Sequence, residues 1–212
     1  MTAYAQAERS LLCDEFLRVG GDAPTLCEGW QTADLATHLV IRDGRPDLLI
    51  GSMLPVVGGW AKGQIRAITA RPWADLVESV RMGPPIYSPT AIPPVDELVN
   101  HVEFFIHHED VRRAQDDWSP RDLDAAQQRA LWAALSRMAR LMFRQSPVGV
   151  EVVSPQGRTR AKPVTPKGDV VLHGEAAELV LAAYGRRTHA KIEAIGSEEA
   201  IAALWSSKLG LA

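Results

Sequence analysis

The chain has 212 residues, a formal net charge of −3, and 46% hydrophobic and 23% charged residues. This is the balance of a globular protein with one medium domain and room for a small appendage. The slightly acidic charge argues against nucleic acid as the main partner, and apolar runs broken by charge every few residues exclude a membrane span. The opening MTAYAQAERSLLCDE lacks a basic segment followed by an apolar core, so no secretory signal is expected. Two cysteines, Cys13 and Cys27, make no disulfide framework, and a cytoplasmic location is expected.

The first two thirds read as helices. Residues 3–19 place Leu12, Phe16 and Val19 at helical spacing, and Gly20-Gly21 ends the run. Thr32 is the expected N-cap of a second helix, with Asp34 in its first turn and Leu35, His38, Leu39 and Arg42 along one strip. Residues 60–82 form two shorter helical pieces broken at Pro72, and 83–94 form a Pro-rich strap. A long helix is expected over 95–115. Ser119-Pro120 reads as the start of another, running to about Gln145.

After Pro147 the pattern changes. Strands are expected at 148–153, 159–164, 169–172 and 190–195. An amphipathic helix falls at 175–184 and a last one behind a Ser197 cap. The expected division is a helical bundle over 1–146 and a small α+β domain over 147–212.

The helix 95–115 carries the chemistry. Glu103 and His107 lie about 40° apart on its surface, one turn from each other, and Asp110 falls on the same strip a turn further on. Val95, Val99, Val102 and Ile106 mark the expected core side, with His101, His108 and Arg112 turned away from the Glu103–His107 strip. A Glu-x-x-x-His pair supplies two metal ligands from one rigid element, and a third from another helix completes a site with an open position. His38, mid-helix between Leu35 and Leu39, is the best donor. A solvated surface pair and a hydrogen-bonded core histidine are the competing readings, and spacing alone does not bring the two helices together.

The segment Cys27-Glu28-Gly29-Trp30-Gln31-Thr32-Ala33-Asp34-Leu35-Ala36-Thr37-His38-Leu39 resembles the "gW-x-x-x-dLa-x-Hl" segment of the DinB-like superfamily. Within it, the similarity is to the actinobacterial mycothiol-dependent maleylpyruvate isomerase-like group. Glu103 to Asp110 resembles that group's "E-x-x-x-H-x-x-D", and Arg42 to Asp47 resembles a subfamily of metal-binding proteins. The stretch from Gly174 to Leu179, with Tyr184-Gly185-Arg186, resembles the small C-terminal domain of the group. The resemblance implies a mainly α fold, a DinB-like four-helix bundle followed by a small α+β domain. It also implies a divalent metal, most simply zinc, held by His38, Glu103 and His107, with Asp110 orienting an imidazole. It further implies an active-site arginine from the C-terminal domain, Arg186, with Arg187 adjacent. A helix C-terminal cation is the alternative for both.

The chemistry so implied is a metal that activates a low-molecular-weight thiol, mycothiol, for S-transfer or thiol-assisted isomerisation of an electrophilic small molecule, in a monomer or homodimer. Arg42, Arg45 and Asp47, placed on the second helix, or the strap 83–94, are candidates to hold the thiol's sugar, with solvated surface as the alternative. Two other readings stand beside it. One is a hydrolase using metal-activated water, with Asp110 as general base. The other is a non-catalytic carrier of a small molecule or lipid, its cavity lined by some of the six tryptophans. Cys13 reads as a buried structural thiol and Cys27 as a partly exposed loop thiol.

Overall fold

The computed structural model describes residues 4–210; the first residue of the expected 3–19 helix lies outside them. The protein is mainly helical with one small four-stranded sheet. It divides into two compact units, 1–119 and 120–212.

The first unit is helical. It contains α1 (Tyr4–Val19), α2 (Thr32–Gly44), α3 (Pro46–Ser52), α4 (Gly58–Thr69), α5 (Trp73–Met82) and α6 (Pro93–Arg112). Helix α1 packs along α6 and α5, and α2 packs on α5. Leu12 and Phe16 of α1, Leu35 and Leu39 of α2, Leu76 and Val80 of α5 and Phe104 of α6 are buried in one core. Pro72 breaks α4 from α5 as the sequence suggests, since a proline inside a helix removes a backbone donor.

Four details differ from expectation. Thr32 is the first residue of α2, not its cap: the cap is Gln31, whose N–H donates to Asp34 Oδ2 at 3.0 Å, while the Thr32 hydroxyl donates to Gly20 O at 2.5 Å. The short helix α3, behind Pro46, carries no amphipathic signal long enough to read, and it puts Asp47 outside the second helix. Helix α7 (Ala125–Met142) starts after Asp124, whose carboxylate accepts from Ala126 N and Gln127 N at 2.8 Å, and not at Pro120. The core face of α6 is also wider than expected: Ile106 is buried as expected and Val99 is 46% exposed, while His101, Phe104, His108 and Val111 are buried too. These residues face α1, so the two histidines expected to turn away from the site strip turn into the protein.

In the second unit, α7 packs on β2 (Gly157–Lys162) and on α8 (Ala176–Ala183), every residue of which is buried. That packing places α7 with the sheet, although its pattern is that of the preceding helices. The sheet runs in the order β2-β1-β3-β4, with β1 (Gly149–Ser154), β3 (Asp169–His173) and β4 (Glu193–Ile195). Strand β1 is antiparallel to β2 through the tight Pro155-Gln156 turn and parallel to β3, and β4 closes antiparallel on β3. A last helix, α9 (Glu198–Trp205), is capped by Ser197, whose hydroxyl accepts from Ala200 N at 3.2 Å. No helix of the described residues is long and apolar enough to cross a membrane.

Candidate metal centre

One face of α6 carries Asp96, Asn100, Glu103, His107 and Asp110 at alternating spacings of four and three. Residues so spaced stack along one side of a helix. Glu103, His107 and Asp110 are visible as a strip in the sequence; Asp96 and Asn100 continue it two turns towards the N-terminus. The same spacing rule was enough to find them.

Helix α2 brings His38 to this strip. His38 Nε2 lies 3.6 Å from Glu103 Oε1, and His107 Nε2 lies 3.2 Å from the same oxygen. The two imidazoles meet edge to face, their centroids 5.6 Å apart. Donor atoms of His38, Glu103 and His107 all lie within 4.8 Å of one another. A tetrahedral ion with bonds of about 2.1 Å holds its ligand atoms about 3.4 Å apart. The Glu103–imidazole distances already match that spacing, so two imidazoles and a carboxylate fit a zinc-type ion with little rearrangement.

The far side of His107 is also partnered. Its Nδ1 lies 3.0 Å from Oδ2 of the fully buried Asp110. An ionised carboxylate only accepts, so Nδ1 carries a hydrogen and Nε2 is the atom turned to Glu103. A carboxylate on the outer nitrogen is the usual device for fixing the orientation of a ligating imidazole. The Cys27 thiol donates to the same Asp110 oxygen at 3.2 Å, and its sulfur lies 4.0 Å from His107 Nδ1. Cys27 is half-buried, in a loop tied to α6 by a bond from Leu26 N to Asp110 O at 3.0 Å. Cys27, His107 and Asp110 thus make a second cluster of donor atoms, sharing His107 with the first. Local sequence gave no sign of this, because Cys27 stands 80 residues from His107.

Electrostatics bind these groups together. Burial pushes the Glu103 carboxyl up, but hydrogen bonds from His107 and His38, and the charges of His107 and Arg42, hold it well below the usual carboxylate range. Burial disfavours a charged His107, yet Asp110, Cys27 and Glu103 together hold its pKa well above the ordinary imidazole value. In contrast Cys13, fully buried in the core, has its thiol pushed up to about 11 by burial and donates weakly to Val77 O at 3.8 Å.

Arg42, one turn beyond His38, places Nε 3.3 Å from Glu103 Oε1. Its Nη1 donates to Asn100 Oδ1 at 2.5 Å and lies 3.4 Å from Asp43 Oδ1. Asn100 Nδ2 donates to Asp96 Oδ1 at 2.7 Å, and Arg9 Nη2 joins Asp96 at 3.1 Å to Asp43 at 3.4 Å. The five side chains close a ring across α1, α2 and α6. Two arginines and two aspartates leave it neutral. Arg9 also stacks on the Phe104 ring, 4.5 Å from its centroid.

The remaining candidates lie elsewhere. Arg45, between α2 and α3, makes a two-bond pair with Asp47 at 2.8 and 2.9 Å on the surface. Arg186 belongs to the second unit and donates to Tyr184 O at 2.6 Å. Of the tryptophans, Trp30 stands against His38 with centroids 5.3 Å apart and lines a cavity of about 250 Å³ with Ile41, Leu49 and Ile65. Trp60 is 57% exposed, and Trp73 packs edge-on to Phe16.

The fold matches solved structures over most of the chain. It superposes on the crystal structure of the mycothiol-dependent maleylpyruvate isomerase with a TM-score of 0.60 and 16% identity, over 90% of each chain. The chain shares that enzyme's fold. A histidine-to-alanine mutant of the enzyme matches at a TM-score of 0.59, again with 16% identity and 90% coverage of both chains. Neither a family model nor the sequence of any curated protein matches the chain.

Proposed function

We propose that the protein is a metal-dependent enzyme that activates a low-molecular-weight thiol, of the mycothiol type, for S-transfer or thiol-assisted isomerisation of a small electrophile. The observation that carries this reading is the approach of His38 and His107 Nε2 to one oxygen of Glu103, at 3.6 and 3.2 Å. The likeness in fold to a mycothiol-dependent isomerase supports the thiol as the partner.

When bound, a zinc-type ion supplies positive charge and an open coordination position, which together lower the pKa of a thiol and keep a sulfur nucleophile available near neutral pH. The chain's residues do the rest. Around a bound ion, His38 and His107 would contribute neutral imidazoles, His107 after giving up the proton that its raised pKa holds, and Glu103 one negative charge, so the centre would keep net positive charge for an anionic sulfur. Asp110 holds the His107 ring through Nδ1 and leaves Nε2 turned inward. Arg42 supports the Glu103 carboxylate, and Asn100 and Asp43 hold Arg42 in turn. Addition of a thiol to an activated double bond balances within the two reactants. The S–C bond forms, the π pair takes up the proton that the thiol released, and nothing is oxidised. Arg45 and Arg186 are proposed as further contacts for the thiol and the substrate, Arg45 on release from its pair with Asp47.

His107 belongs to both donor clusters, so its loss does not tell them apart. The test is metal content of the wild type against His38→Ala and Cys27→Ala, followed by titration of the loaded proteins with mycothiol. Metal is expected to be lost from His38→Ala and retained in Cys27→Ala, with thiol binding only where metal remains. The reverse pattern overturns the assignment, and thiol binding that ignores metal overturns the chemistry.

A further inference from the structure

The cavity beside His38 has a composition that selects its occupant. Three of its walls are aliphatic: Ile41 from α2, Leu49 from α3 and Ile65 from α4. The Trp30 indole and the His38 ring form a fourth, aromatic side. At about 250 Å³ it exceeds the roughly 150 Å³ of a cavity that accommodates benzene, so it has room for a substituted ring.

Its hydroxyls are already committed, and the other polar groups on its wall are the Asp34 carboxylate, the Trp30 indole N–H and the His38 imidazole. The Thr37 hydroxyl lies 2.7 Å from Ala33 O and 3.1 Å from Thr69 Oγ1, and the Thr69 hydroxyl donates to Ile65 O at 3.1 Å. Their hydrogens are turned to the protein, so the two threonines face a ligand as acceptors. Asp34, the one carboxylate on the wall, accepts from Gln31 N at 3.0 Å. Among the described residues no Lys or Arg lines the cavity. The nearby cation Arg42 is engaged with Glu103, Asn100 and Asp43.

An anionic guest therefore meets an acid and two acceptors, with only the Trp30 and His38 rings to donate, and a carboxylate that gives up water there without full pairing is disfavoured. A sugar fares little better, since its hydroxyls find few partners on Ile41, Leu49 and Ile65. We infer that this cavity binds the second reactant, and that this reactant is an uncharged, largely apolar molecule of about the size of a substituted aromatic ring, not a dicarboxylate. Its role as the reactant attacked by the thiol rests on the function proposed above; its selection for an uncharged apolar guest does not.

The experiment titrates the full-length protein, with and without added zinc, with p-cresol as the uncharged ring probe and with maleate as the dianion. Binding is followed by calorimetry and by the indole N–H resonance of Trp30, assigned with Trp30→Phe. Saturable p-cresol binding with a shift of that resonance, and no response to maleate, is the expected result. Ile65→Trp, which fills the cavity, is expected to weaken p-cresol at least tenfold while binding as much metal as the wild type. Maleate that binds and displaces p-cresol overturns the inference, as does Ile65→Trp binding p-cresol unchanged, or a Trp30 resonance that ignores p-cresol. A wild type that binds p-cresol but no metal sinks the proposed function and leaves the selectivity of the cavity standing. Metal binding without p-cresol binding does the opposite.

Discussion

Arg42 Nε and the two imidazoles converge on the same oxygen of Glu103, with Arg42 3.3 Å away. A guanidinium there stabilises the carboxylate before any cation arrives, and repels a cation once it has. At an effective dielectric of about 20, unit charges a few ångströms apart interact by a few kcal/mol, less for a side chain that water partly reaches. Arg42→Met is therefore expected to bind zinc more tightly than the wild type, by roughly tenfold, or about 1.4 kcal/mol. Competition titration against a chelating dye measures this. Unchanged or weaker binding would show that Arg42 does not compete for Glu103.

Asp110 and Cys27 share an oxygen contact, but their substitution separates two roles. If Asp110 fixes the His107 ring, Asp110→Asn is expected to lower zinc affinity by roughly 10- to 100-fold. Asp110 is fully buried and the asparagine is nearly isosteric, so the fold is expected to survive. Cys27→Ala is expected to change zinc affinity by less than about threefold, since the thiol only donates to Asp110 in the proposed arrangement. Paired titrations of the two variants check this, and equal losses would count against the ordering of roles.

The ring beneath the site is a stability element. Arg9, Asp43 and Asp96 are largely buried, and removal of one buried partner leaves the others uncompensated. Arg9→Met is expected to cost roughly 3 kcal/mol in denaturant unfolding. Gly83→Ala acts on the same residue. Gly83 has φ of 72°, and an added Cβ would run into the Arg9 guanidinium. It is expected to destabilise the fold by about 1–3 kcal/mol. An Arg9→Met, Gly83→Ala double variant loses less than the sum, because the clash is gone.

His101 sets a pH dependence away from the metal site. Burial lowers its pKa to about 4, against the attraction of Glu8 on α1. Its Nδ1 lies 3.7 Å from Glu97 Oε1, its ring stacks on Tyr4, and its Nε2 has no partner among the described residues. In the unfolded chain the ring takes a proton near pH 6.5 and in the folded chain only near pH 4. Its contribution is therefore complete above pH 6.5 and is lost as the pH falls towards 4, by about 3 kcal/mol at most. His101→Phe keeps the stack on Tyr4 and removes the titration. Melting temperatures between pH 7 and 4 are expected to fall less steeply in that variant than in the wild type; parallel profiles would refute the assignment.

Periodicity along the chain was sufficient to locate α1, α2, α4, α5 and α6, the β1–β2 hairpin and the Ser197 cap, because those signals are local: spacing, prolines and cap residues. The same spacing placed Glu103, His107 and Asp110 on one strip of α6. It misjudged how far the buried face of α6 extends: Ile106 is buried as expected, but Val99 is exposed and α1 covers the side that carries His101 and His108. Buried His101 and His108 are tolerated there because partners such as Glu8, 2.9 Å from His108 Nδ1, come from α1. No pattern within α6 contains that information.

What the sequence alone determined is thus the set of helices and the residues able to bind or move charge. Only the tertiary structure decided that His38 meets Glu103 across 65 positions, that Cys27 reaches Asp110 from a loop, and that Arg42 closes on Glu103 rather than on solvent. Helix propensity and capping act within a few residues, whereas a donor cluster depends on how apolar faces far apart in the chain bury one another. That choice belongs to the packed core, and the chemistry of the site follows from it.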